Sequence, residues 1–351
     1  MARYDVTPDE LAVLLAGEPA FRTRQVWEGL RRGDAPGDLT VVPRALRERL
    51  AAEPALAPAL RLDAAVESDE GQTVKWRWAL DDGRLVETVL MHYPGRTTVC
   101  VSSQAGCAMA CAFCATGQAG FERNLTAGEI VEQVVRAGAE ARRSGRRLSN
   151  VVFMGMGEPL ANLDHVWSSV ERMHGDLGLS ARHLTVSTIG IVPGIRRLAA
   201  LPLPVNLAVS LHAADDTLRD ELVPVNRRYP IPALLEACRA WVDAKGRRLS
   251  FEWALIRGVN DRPGDAARLA GLAREVRAHV NLIPLNPTPG YLAEGTPPAG
   301  VRAFRDLLVS LGVNATVRRN RGTGIDAACG QLAAAGARRQ KTPRRRPDGT
   351  D

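Results

Sequence analysis

Thr97-Thr98-Val99-Cys100-Val101-Ser102-Ser103-Gln104-Ala105-Gly106-Cys107-Ala108-Met109-Ala110-Cys111-Ala112-Phe113-Cys114 is a β-branched run that passes into a loop with three closely spaced cysteines. It opens a regular alternation. Apolar, β-branched runs lie at 97–102, 150–154, 183–187, 205–210, 249–255 and 279–284, and helical patterns at 126–143, 160–174, 193–201, 231–245, 263–276 and 301–311. Strands alternating with helices pair in parallel through right-handed crossovers. Six such units are too few for an eight-unit barrel. They suit a partial, open barrel or a doubly wound sheet, and in either one ligands collect at the carboxyl ends of the strands. The polar turns fall there: the cysteine loop after the first strand, Gly155-Met156-Gly157-Glu158-Pro159 after the second, Ser187-Thr188-Ile189-Gly190 after the third, Ser210-Leu211-His212 after the fourth and Asn286-Pro287 after the sixth. Five polar turns on one rim define one site.

Before this array the chain changes character twice. Residues 1–58 are rich in Ala, Leu and Arg, and Thr7-Pro8-Asp9-Glu10 has the form of a capped helix start; Phe21, Val26, Trp27 and Leu30 form an apolar stripe on a second helix. This predicts a small helical accessory domain. Over 59–95, Thr73-Val74-Lys75-Trp76-Arg77-Trp78 alternates, Asp81-Asp82-Gly83 signals a turn, and a second strand runs over 84–90, which predicts a β-hairpin extension. The α/β core then spans 96–335, and 336–351 is a basic tail expected to be disordered.

The chain has 351 residues, enough for about two domains, and 45% hydrophobic content, which excludes a disordered or collagen-like chain. No uncharged apolar stretch is long enough to span a membrane, and the first residues lack the layout of a secretory signal, so a cytoplasmic, membrane-free location is expected. The net charge is +7, but the tail after Ala337 alone carries six Lys or Arg against two Asp. A polyanionic partner is therefore better argued from basic residues beside the site motifs: Arg318, Arg319 and Arg321, just before Cys329.

Reduced cytoplasmic thiols argue against a disulfide framework for the four cysteines clustered between 100 and 114. Cys107, Cys111 and Cys114 supply three thiolates within eight residues. Structural zinc takes four ligands and would need a distant fourth, whereas an iron–sulfur cubane held by three cysteines keeps one iron open to a small molecule. Incidental core cysteines are the remaining alternative. For Cys100, Cys329 and Cys238 taken alone, packing is the ordinary reading of a free cysteine.

The Cys-x-x-x-Cys-x-x-Cys loop after the first strand of a βα array resembles the radical S-adenosylmethionine (radical SAM) superfamily. Further stretches resemble its RlmN/Cfr family of RNA methyltransferases: Cys100-Val-Ser-Ser-Gln-Ala-Gly-Cys107, Gly120-Phe-Glu-Arg-Asn-Leu125, Gly155-Met-Gly-Glu-Pro159, Ser210-Leu-His-Ala213, Asn281-Leu-Ile-Pro-Leu-Asn-Pro287 and Asp326-Ala-Ala-Cys-Gly-Gln331. The resemblance covers about 80–332 and implies a partial (β/α)6 radical SAM barrel that methylates carbon 2 of adenine in 23S rRNA and tRNA. It implies one [4Fe–4S] cluster on Cys107, Cys111 and Cys114. It implies two S-adenosylmethionine molecules per methylation, with Gly157, Glu158, Ser187, Ser210, Leu211, His212 and Asn286 as contacts. Cys329 becomes the methyl-carrying cysteine, Cys100 the second catalytic thiol and Glu87 the proton acceptor. His212 can serve through its backbone rather than its ring. A flavodoxin or ferredoxin is the expected electron donor, the helical accessory domain over 1–58 is expected to bind RNA, and the chain is expected to be monomeric.

The two extra cysteines make chemical sense. Carbon 2 of adenine is electron-poor and cannot attack a methyl sulfonium, whereas a thiolate can. Cys329 would carry the methyl, a radical would activate it, and Cys100 would release the product with formation of a disulfide. A carbon 8 methyltransferase is the nearest rival. A non-catalytic, metal-stabilised RNA-binding protein is a distant one, since it leaves 155–159 and Cys329 unexplained.

Overall fold

A computed structural model describes residues 3–318 and 322–332. The helices are α1 (Pro8–Leu14), α2 (Phe21–Arg32), α3 (Arg44–Ala51), α4 (Ala115–Ala119), α5 (Ala127–Arg143), α6 (Leu163–Gly175), α7 (Val192–Ala200), α8 (Asp216–Leu222), α9 (Ile231–Lys245), α10 (Pro263–Glu275) and α11 (Pro298–Ser310). The strands are β1 (Arg61–Ser68), β2 (Thr73–Ala79), β3 (Leu85–Tyr93), β4 (Arg96–Cys100), β5 (Gln104–Gly106), β6 (Phe121–Asn124), β7 (Leu148–Phe153), β8 (Leu184–Thr188), β9 (Asn206–Ser210), β10 (Ser250–Leu255), β11 (His279–Pro284) and β12 (Ala315–Val317).

Ten strands form one sheet in the order β1-β2-β3-β4-β7-β8-β9-β10-β11-β12. From β4 onward every pairing is parallel and each strand lies beside its predecessor, so the order never reverses. A doubly wound sheet needs a reversal. Its absence resolves the two architectures in favour of the partial barrel. The array has one strand more than the sequence pattern predicts, β12. The hairpin extension is larger as well: β1, β2 and β3 form an antiparallel meander continuous with β4.

The helical segment has its own core, in which Leu11, Val26, Leu30, Leu46 and Leu50 pack with Val131 and Val135 of α5. The opposite side of α5, through Ile130, Val134 and Ala137, belongs to the main core. That double burial explains why α5 is apolar around most of its circumference. Thr7 caps α1 in a reciprocal box with Glu10, as its spacing predicts. Among the described residues, no helix is long and apolar enough to cross a membrane. Arg319, Arg321 and the basic tail lie outside the described residues.

Candidate active site

The cysteine loop leaves β4 and is held from several sides. Cys107 N–H donates to Gly120 O at 2.9 Å, Cys114 N–H to Cys111 O at 3.1 Å and Ala112 N–H to Leu222 O at 3.1 Å. The turn after β7 lies against its stem. A Cβ on Gly157 would come within 2.5 Å of Gln104 and its φ is +99°, so only glycine fits there. Glu158 N–H donates to Gln104 Oε1 at 2.8 Å. Its carboxylate accepts from Leu160 N–H at 2.9 Å and from Ile189 N–H at 2.8 Å. Burial still pushes its pKa up, to about 7, because two backbone donors do not replace full hydration. A buried carboxylate in this state is poised for a cation.

One cavity, open to solvent and with about 920 Å³ of atom-free space, gathers Cys107, Cys111, Cys114, Gly157, Glu158, Ser187, Ser210, His212, Asn286 and Cys329. Burial pushes the Cys107 thiol up to about 12 and Cys111 well above its ordinary value. Thiolates at these positions need a positive centre beside them, which a metal cluster supplies. Cys107, Cys111 and Cys114 line this one cavity from within eight residues of chain, and three thiol donors leave one iron of a cubane without a protein ligand. That donor set fits a cluster with an open iron.

Cys329 sits in a turn latched by three contacts. Gly330 O accepts from Ala115 N–H of the cysteine loop at 2.8 Å, Cys329 O accepts from Asn286 Nδ2 at 3.1 Å, and Asp326 O accepts from Lys75 Nζ at 3.2 Å. Cys100 is 6% exposed, and its thiol is pushed up to about 12 by burial first and by the sulfur of Cys329 second. The fold thus brings into electrostatic reach two cysteines that lie 229 positions apart in the chain. All six cysteines are free thiols, and Cys238 is fully buried in the main core.

Three expected site residues sit differently. Leu211 does not line the cavity: its side chain is in the core, and its carbonyl accepts from Arg219 Nε at 3.1 Å. Glu87 is neither on the cavity wall nor solvent-facing; it is 5% exposed and pairs with Lys75 Nζ at 3.4 Å. It lies on the sheet face of Cys100, two residues from Val89, the β3 partner of Cys100. Arg318 points into the barrel, where Nη1 meets Met154 Sδ at 3.4 Å, and not outward to a partner. Sequence reasoning also missed Arg219. It is fully buried and donates to the carbonyls of Ile189 and Leu211 and to Asn226 Oδ1, tying together the turns after β8 and β9. Its i−8 and i+7 partners leave no local pattern to read.

Residues 101–270 match the radical SAM superfamily. The chain is 47% identical over 383 residues to a probable dual-specificity RNA methyltransferase RlmN of Roseiflexus sp. (strain RS-1), covering 95% of this chain and 96% of that protein. It is 51% identical to the same-named protein of Salinispora tropica, with 95% and 93% covered. Among solved structures, a radical SAM methyltransferase from Sphaerobacter thermophilus superposes with a TM-score of 0.91 at 49% identity, covering 95% of this chain and all of that one.

Proposed function

The chain belongs to the RlmN family of radical SAM RNA methyltransferases, and on that premise we propose that it methylates carbon 2 of adenine in 23S rRNA and tRNA through a methyl carried on Cys329. It uses a [4Fe–4S] cluster and S-adenosylmethionine. The observation that carries the proposal is that Cys329 lines the same cavity as Cys107, Cys111 and Cys114, although more than 200 residues separate it from them.

Cys107, Cys111 and Cys114 hold the cluster. Glu158 receives the ammonium of S-adenosylmethionine, and Gly157, Ser187, Ser210, His212 and Asn286 line the rest of its seat. The ring of His212 is already committed: its Nδ1 accepts from Ala254 N–H at 2.9 Å, so its part is backbone or shape. The sulfur of Cys329 takes the methyl from the first S-adenosylmethionine: an S–CH3 bond forms, the sulfonium bond breaks and its electron pair leaves on S-adenosylhomocysteine. When bound, the cluster supplies the electron that makes a second S-adenosylmethionine into a hydrogen-abstracting radical, which activates this S-methyl toward carbon 2. Glu87 takes the proton from carbon 2 of the adenine bridged to the Cys329 sulfur, and the one electron left on the adduct returns to the bound cluster. The sulfur of Cys100 then attacks that of Cys329. An S–S bond forms, the C–S bond to the RNA breaks, and its electron pair stays with the nucleobase, which takes up a proton. An external dithiol resets the disulfide. The target adenine must be unstacked to reach this depth. The enzyme works in the cytoplasm with a flavodoxin- or ferredoxin-type electron donor.

Mass spectrometry on the anaerobically reconstituted protein tests this. Wild type should yield 2-methyladenosine in digested RNA and one methyl on the Cys329 peptide. Cys329→Ala should abolish both, and Cys100→Ala should accumulate a covalent protein–RNA adduct. Formation of 8-methyladenosine, or RNA methylation by Cys329→Ala, would overturn the proposal.

A further inference from the structure

The barrel holds a second cavity, with about 1650 Å³ of atom-free space, lined from the amino halves of the strands by Thr98, Asn150, Thr185, Asn206 and Ser250. Three residues line both cavities and so form the partition between them: Met154, Glu252 and Arg318. Two of the three carry opposite charges and yet do not meet. Glu252 stands on β10 in register with Ser210 of β9 and Asn281 of β11. Arg318 follows β12, and its N–H donates to Leu282 O at 2.8 Å, one step beyond the β11–β12 ladder. β11 therefore lies between the two residues, at about 4.8 Å per strand spacing. The guanidinium rests on Met154 Sδ through Nη1 at 3.4 Å. The carboxylate accepts from Ser250 Oγ at 2.9 Å and from Asn281 Nδ2 at 2.8 Å, both through Oε1. Its Oε2 has no partner among the described residues, so no hydrogen bond joins it to Arg318.

Glu252 is 3% exposed, and a buried acceptor without a donor forfeits its hydration and gains nothing in return. Ser250 and Asn281 line only the second cavity, so Oε1 is taken up on that side and Oε2 is left toward the first. Arg318 carries five N–H donors in a rigid fork, and Nη1 alone has a side-chain partner among the described residues. The wall of the first cavity thus offers an acceptor and a donor side by side, held apart by a strand. An unstacked base presents its edges to such a pair. Adenine supplies the complement, since its N6 amine donates and the ring nitrogen beside it accepts. Guanine supplies the reverse, an accepting O6 beside a donating N1–H. Adenine has two edges of this kind, N6 with N1 and N6 with N7. Carbon 2 adjoins N1 and carbon 8 adjoins N7, so the edge that is held decides which carbon is presented.

We propose that Glu252 and Arg318 read the target adenine by its N1/N6 edge: Glu252 Oε2 accepts from the N6 amine, and the Arg318 guanidinium donates to N1. The inference rests on the carbon 2 reading proposed above and deepens it. A base held in this way keeps carbon 2 beside Arg318, in the same cavity that Cys329 lines, and turns carbon 8 away on the other ring. The pair accepts adenine and rejects guanine and uracil, whose corresponding edges place an acceptor where Glu252 needs a donor. A site built to hydrogen-bond an amine discriminates strongly against a base that lacks it, because its own buried oxygen is then left unpaired.

Binding of base analogues tests this without turnover. The full chain has its cluster assembled anaerobically and its cofactor seat saturated with S-adenosylhomocysteine. It is titrated, at raised salt to suppress phosphate contacts, with a fluorescent short uridine oligomer carrying one central purine nucleoside. The nucleosides are adenosine, purine riboside (no N6 amine), 1-deazaadenosine (no N1) and 7-deazaadenosine (no N7). Wild type should bind the purine riboside and 1-deazaadenosine oligomers about tenfold more weakly than the adenosine oligomer, and the 7-deazaadenosine oligomer equally well. In E252Q the amide oxygen stays with Ser250 and Asn281, which puts an N–H donor where Oε2 stood. E252Q should therefore bind the adenosine and purine riboside oligomers alike and still discriminate against 1-deazaadenosine. R318M should do the converse. A merely structural role would weaken every oligomer equally, because only a direct contact couples one side chain to one atom of the base. Equal binding of all four oligomers by wild type, a loss on 7-deazaadenosine in place of 1-deazaadenosine, or variants that keep the wild-type pattern overturn the inference. Should either variant fail to fold, the wild-type series decides. A parallel incubation with S-adenosylmethionine separates the two ideas. If wild-type Cys329 gains no methyl group, the shuttle fails and the edge reading stands or falls on the titrations. If it gains one and the titrations are flat, only the edge reading fails.

Discussion

His212 shows how one residue of a functional motif can be committed to structure. Its backbone stands at φ +59°, a conformation that costs a non-glycine residue about 1–2 kcal/mol. The surroundings hold it there. Nδ1 accepts from Ala254 N–H, the carbonyl accepts from Asn260 Nδ2 at 2.8 Å, and the Phe113 ring meets the imidazole edge-on at 4.7 Å. Burial first, and then the charge of Arg219, hold the ring neutral, with its pKa lowered to about 3. An unfolded histidine titrates near about 6.5. Between those values the unfolded chain binds a proton that the folded chain refuses. The contribution of His212 to stability is therefore full above about pH 6.5 and is lost as pH falls toward about 3. His212→Asn, which tolerates the same backbone, should flatten the decline of the urea midpoint between about pH 6.5 and 4. A variant curve parallel to that of wild type would refute this assignment. The motif was legible in the sequence and the use of its ring was not, because the ring's partners, Ala254 and Phe113, come from β10 and from the cysteine loop.

At the scale of elements, the junction between the helical segment and the barrel rests on the start of α5. Thr126 caps it, accepting from Glu129 N–H at 3.2 Å. A second cap comes from far away in sequence: Asp5 Oδ1 accepts from Gly128 N–H at 2.7 Å and Oδ2 from Thr126 Oγ1 at 3.2 Å. A Cβ on Gly128 would lie 2.5 Å from Asp5, so the glycine admits the carboxylate. Arg172 Nη2 donates to Asp5 O at 2.9 Å from α6. An acidic group at a helix amino end also meets the positive end of the helix dipole. Asp5→Ala should cost about 1–2 kcal/mol, read by thermal unfolding, and should expose residues 3–58 to limited proteolysis before the barrel. Gly128→Ala should give the same early cleavage; simultaneous cleavage of both parts would show that the junction is not the weak point. Local periodicity revealed the six long strands and their helices because each carries enough residues to show a period. β12, three residues long, and the β5–β6 ribbon, of three and four residues, do not, and they form only because a neighbouring strand edge pairs with them. The three cysteines proposed to hold the cluster were legible because eight contiguous residues contain them. Glu252 was not, and Arg318 was read only as a basic residue beside the site motifs and not as one turned inward, since sequence alternation marks the inner face of a strand without saying what it faces.

For the whole molecule, the question is where the affinity for RNA resides. The formal charge of +7 is concentrated after Ala337, where six basic residues face two acidic ones, while the chemistry proposed above is concentrated at the cavity lined by the cysteine loop and Cys329. Arg318 is turned inward at that cavity, which takes it out of the set of outward phosphate contacts. Phosphate contacts set affinity and its salt dependence, whereas a buried site sets which atom reacts. The two contributions are separable. A chain truncated after Ala337 should bind single-stranded RNA more weakly, with a salt-dependence slope reduced by up to about three units, for the four net charges removed at about 0.7 per phosphate contact. The same truncated chain should still place one methyl on Cys329 at the wild-type rate, because Leu332 O already accepts the Thr116 hydroxyl and closes the described site before the tail begins. Binding titrations at several salt concentrations measure the first quantity and peptide mass spectrometry the second. An unchanged slope would place the phosphate contacts on the helical segment and the barrel. A loss of Cys329 methylation would make the tail part of the site.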